Sequence, residues 1–149
     1  ALGAVRRWDG FAQVGVPLLA ERIEDPAGGV AQGAVAGLLL AAGDGVDIRL
    51  ASGAMLAAIG REVEYRAQRR VFPLDGSGYS DLRRMDAVAD LAEALVRSSV
   101  HHGSLELLEA PALASERARR GALRALAALE QDPALIASAA SARRALPAT

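Results

Sequence analysis

Residues 46–72 read VDIRLASGAMLAAIGREVEYRAQRRVF, and the way this stretch folds decides the class of the whole chain. Val46, Ile48 and Leu50 alternate with Asp47 and Arg49, the two-residue period of a strand with one buried face. Val63, Tyr65 and Ala67 alternate with Glu62, Glu64, Arg66 and Gln68 in the same way, so a small β-hairpin is one solution. The competing pattern is helical. Leu56, Ile59, Val63, Ala67 and Val71 recur at steps of three and four, and residues 54–58 are strong helix formers. The longer pattern predicts a helix over 52–70. The chain is then mainly α, a compact bundle of about five to seven helices. A genuine hairpin within 46–72 would make it an α+β domain instead.

Upstream, Gly43-Asp44-Gly45 reads as a sharp turn, and before it lies the most apolar run, VAQGAVAGLLLAA over 30–42. A bilayer needs about 20 apolar residues, so this run is too short to span one and reads as a central buried helix. Gly29, Gly33 and Gly37 step along it at intervals of four. Such steps leave one side bare, so another helix can approach closely. This face is expected to pack tightly within the chain or to form the seam of a homodimer. No Gly-x-Gly-x-x-Gly or Walker spacing is present and the chain has no Lys, so the glycines do not form a phosphate loop. Further upstream, Trp8, Phe11, Ala12, Leu18 and Leu19 have roughly helical spacing around Pro17. Proline inside a helix removes a hydrogen bond and crowds the preceding turn. The expectation is a helix to about Gln13, a break at Gly15-Val16 and a short helix over 17–23.

Downstream, PLDGSGYS over 73–80 is a loop of turn-forming residues. Ser80 is the expected cap of the next helix, with Asp81 suited to its dipole. Leu82, Met85, Val88, Ala89, Ala92, Leu95 and Val96 form the apolar stripe, and the helix is expected to stop near Gly103. A turn or two over 104–109 ends before Pro111. A helix over 115–131 turns Ala118, Ala122, Leu126 and Leu129 inward, and Asp132-Pro133 starts a last helix reaching about 146. With no internal repeat or long linker, residues 1–149 read as one domain.

Apolar residues make up 52% of the chain and aromatics only 3%, so the core must be built from Ala, Leu, Val and Ile. All 17 basic residues are Arg, a composition matching a coding sequence rich in G and C, of a bacterial-like kind. A net charge of −1 supplies no global attraction to nucleic acid or an anionic membrane. The absence of Cys excludes disulfides, thiolate metal sites and cysteine nucleophiles. No basic segment followed by an apolar run opens the chain, and a cytoplasmic protein is expected.

Two histidines, His101 and His102, are adjacent, and neighbours on a helix diverge by about 100°, a poor geometry for one ion. No metal site and no cofactor is expected. Arg97-Ser-Ser-Val-His-His102 places Arg and His at an Arg-x4-His spacing that resembles the signature of the HEPN superfamily, small helical domains that often cut RNA. The resemblance covers six residues, with Ser98 as the polar residue after Arg. It implies a ribonuclease in which His102 transfers a proton while Arg97 stabilises phosphate charge. The same residues also fit the end of a helix, where cations are favoured. Asp75 and Asp86 are twelve residues apart, inclusive, but Ser80 stands where a calcium loop needs Gly. The arginine clusters at 66–70, 83–84, 117–120 and 143–144 are interleaved with acids, the pattern of a salt-bridged surface.

No catalytic constellation stands out. The leading expectation is a non-catalytic assembly module that self-associates or docks on a partner protein through Gly29, Gly33 and Gly37. A small-molecule domain with an apolar pocket, anchored by Trp8, Tyr65 or Arg97, is the alternative, and the HEPN-like ribonuclease is the third.

Overall fold

The computed structural model describes residues 10–25, 27–69 and 78–148, with side-chain surroundings described except at 28, 62–69 and 78–86. Among the described residues there are six α-helices and no strand. They are α1 (Phe11–Arg22), α2 (Gly28–Gly43), α3 (Ser52–Arg69), α4 (Gly78–His102), α5 (Glu116–Leu129) and α6 (Ile136–Ala145). Short 3-10 turns lead into α3 (Arg49–Ala51), join α4 to α5 (Leu105–Glu109 and Pro111–Ala114) and open α6 (Pro133–Leu135).

Over its described residues the deciding stretch is therefore helical from Arg49 to Arg69. Ile48 is fully buried, but the chain then turns and leaves Leu50 65% exposed, so the strand-like alternation ends where it began. From there the helical period takes over. Ala51, Met55, Ala58 and Ile59 are buried at steps of four, three and one, a single face of α3. No hairpin forms over the described part of 46–72.

The centre of the bundle is α4, where the sequence pointed to α2. Leu91, Ala92, Ala94, Leu95, Val96, Ser98, Ser99 and Val100 are all buried, on every side of the helix. At 25 residues α4 is about 37 Å long, enough to make contact with α2, α3, α5 and α6. The shorter α2 packs on α1 and α4 with one face only. Hydrophobicity marks a helix as able to be buried; the number of neighbours decides whether it is.

Two further expectations are corrected. Helix α1 runs unbroken through Pro17. The carbonyl that the proline leaves without its helical donor belongs to Gln13, an exposed residue, so water can satisfy it. Helix α4 starts at Gly78, which puts Ser80 inside the first turn and not at the cap. A cap residue marks the neighbourhood of a helix start more reliably than the residue itself. The expected helical turn or two before Pro111 is there, as a 3-10 helix over Leu105–Glu109.

The other punctuation is as expected. Ser115 Oγ caps α5 by accepting the Ala118 N–H at 3.3 Å, and Asp132 accepts the Ala134 N–H at 3.0 Å. Gly45 and Gly103 end α2 and α4 with φ of 81° and 78°, the left-handed conformation that glycine adopts at least cost. Ala118, Ala122, Leu126 and Leu129 all point inward from α5.

Candidate functional site

The arrangement of α2 places one apolar side against the core and the other in water. Ala34, Val35, Leu38, Ala41 and Ala42 are buried. Gly29, Gly33, Ala36, Leu40 and Gly43 are exposed, at successive spacings of four, three, four and three. That is the 3.5-residue repeat of a helix-pairing seam. Leu40 is 54% exposed and Val30, at the edge of the seam, 45%. Residues 28–43 include no charged side chain, and Gln32 is the one polar one. A helix that is apolar all round is ordinarily buried all round.

The three glycines divide into two kinds. A methyl group on Gly37 would meet the Leu19 side chain of α1 at 3.3 Å, so this step serves packing within the chain. Gly29 and Gly33 have nothing within 4 Å of where a Cβ would stand. They are open to solvent, and the expected seam is thus reduced to its solvent-facing members. The neighbouring α1 also exposes Val14 and Leu18.

Arg97 and His102 do not form one constellation. They lie five residues apart on α4, about 140° around the helix axis. Arg97 Nε donates to Glu93 Oε2 on its own helix at 3.1 Å. Glu93 also takes Arg124 of α5 at 3.1 Å, and Arg124 reaches Asp90 at 3.0 Å. Arg97 is thereby part of an ion-pair network along the α4–α5 contact. His102 turns the other way, its Nε2 donating to the Gly45 carbonyl at 3.1 Å. His101 is exposed, and its ring meets that of His102 edge-on at 5.1 Å.

That histidine contact belongs to a polar cluster which sequence reasoning missed. Arg49 Nε and Nη2 grip the Asp47 carboxylate at 2.8 and 2.6 Å. Its Nη1 donates to Ser104 Oγ at 2.6 Å and to the His102 carbonyl at 3.3 Å, capping the end of α4. Ser98 Oγ accepts the Ile48 N–H at 3.1 Å. The Arg49 guanidinium holds the Asp47 carboxyl down at about 2, against an ordinary value near 4. The cluster clamps the α2–α3 connector onto the end of α4. Its signal in the sequence is only an Asp-x-Arg pair, and the partners 53 and 55 residues away are invisible there.

Most of the remaining described arginines are paired as the interleaved acids suggested. Arg120 bonds Glu116, Arg143 bonds Glu130, and Arg61 bonds Glu24. Trp8 lies outside the described residues; Tyr65 lies on α3, and its side chain is outside the description. Of the calcium-loop stretch, residues 78–86 are helical backbone and 75–77 are outside the described residues. Among the described residues no three His, Asp or Glu side chains gather in a way that could hold a metal ion. No helix among them is long and apolar enough to cross a membrane. No family model, curated protein or solved structure matches this chain.

Proposed function

We propose that this protein is a non-catalytic interaction module that self-associates or docks on a partner protein through the solvent side of α2. One observation carries the reading: a 16-residue helix without a charge is covered on one face and bare on the other. The bare strip is about 24 Å long and 10 Å wide, on the order of 200 Å². At about 25 cal/mol per Å², covering it contributes about 5 kcal/mol. Association itself costs roughly 4–15 kcal/mol, so the strip supports a weak contact alone or forms the centre of a larger one. The open positions at Gly29 and Gly33 allow a second backbone to come close.

The test is native mass spectrometry on the protein isolated from its own cells, as the natural chain and as Gly33→Leu. Leucine at this open helical position leaves the monomer intact and, on propensity alone, slightly favours its helix. The natural chain is expected in a discrete assembly, either with itself or with a stoichiometric foreign chain, and Gly33→Leu is expected to dissolve it. A natural chain found only as a free monomer, or an assembly indifferent to the substitution, overturns the reading.

A further inference from the structure

We draw no further inference here: the strongest candidate, the polar cluster of Asp47, Arg49, His102 and Ser104 at the C-terminal end of α4, belongs to the clamp already described, where these side chains bond to one another and to the backbone of the α2–α3 connector and of α4, and nothing in the structure points to a ligand there.

Discussion

At Gly121 the helices α4 and α5 meet so closely that the Ala89 carbonyl occupies the space a side chain would fill. The close approach is what lets a core with few aromatics pack through Ala118, Ala122 and Ala125. Gly121→Ala forces backbone apart, and we expect it to destabilise the fold by about 2–3 kcal/mol, read as a lowered urea midpoint. Gly53→Ala on α3, where nothing lies within 4 Å, is the contrast and should stabilise by about 0.5–1 kcal/mol. In the sequence these two glycines look alike, each inside a helical run. What separates them is the atom opposite, which belongs to another helix. Arg97 and His102 teach the same lesson, since their residue types were legible while their partners, Glu93 and Gly45, were not.

Helices were the most legible level because their signals are local. The Ser115 cap, the Asp132-Pro133 restart and the glycine stop at 103 each act through backbone groups a few residues away. We expect Ser115→Ala to cost about 1 kcal/mol, seen as a lower thermal midpoint with unchanged circular dichroism at low temperature. The stretch 46–72 was readable for a related reason: one helical period ran through it far longer than either strand-like alternation. Pro17 was misread because the cost of a helical proline depends on whether the freed carbonyl reaches water. That is a property of the surface and not of the local pattern.

At the scale of the molecule, the Asp47–Arg49–Ser104 clamp joins residues some fifty positions apart and holds the connector to the central helix. Folding lowers the Asp47 carboxyl to about 2, so its contribution is fully present above about pH 4 and is lost as the pH falls toward 2. Asp47→Asn should therefore be less stable than the natural chain by a constant margin from pH 7 to 5. That margin should shrink between pH 4 and 2, in denaturation curves of both proteins. The pair is about a third exposed, so added salt should narrow the margin too.

By itself the sequence determined a mainly helical chain, its turns, most helix ends, the inward stripe of α5 and that of α4 from Val88 onward, because periodicity and capping are written within one or two turns of backbone. It also marked the run 30–42 as apolar enough to be buried. Only the tertiary structure decided that α4 takes the centre, that Gly37 meets Leu19 while Gly29 and Gly33 face solvent, and that Arg97 and His102 look in different directions. Those outcomes depend on which helices are neighbours, and neighbours are chosen by the packing of the whole chain, a long-range quantity that no local pattern contains.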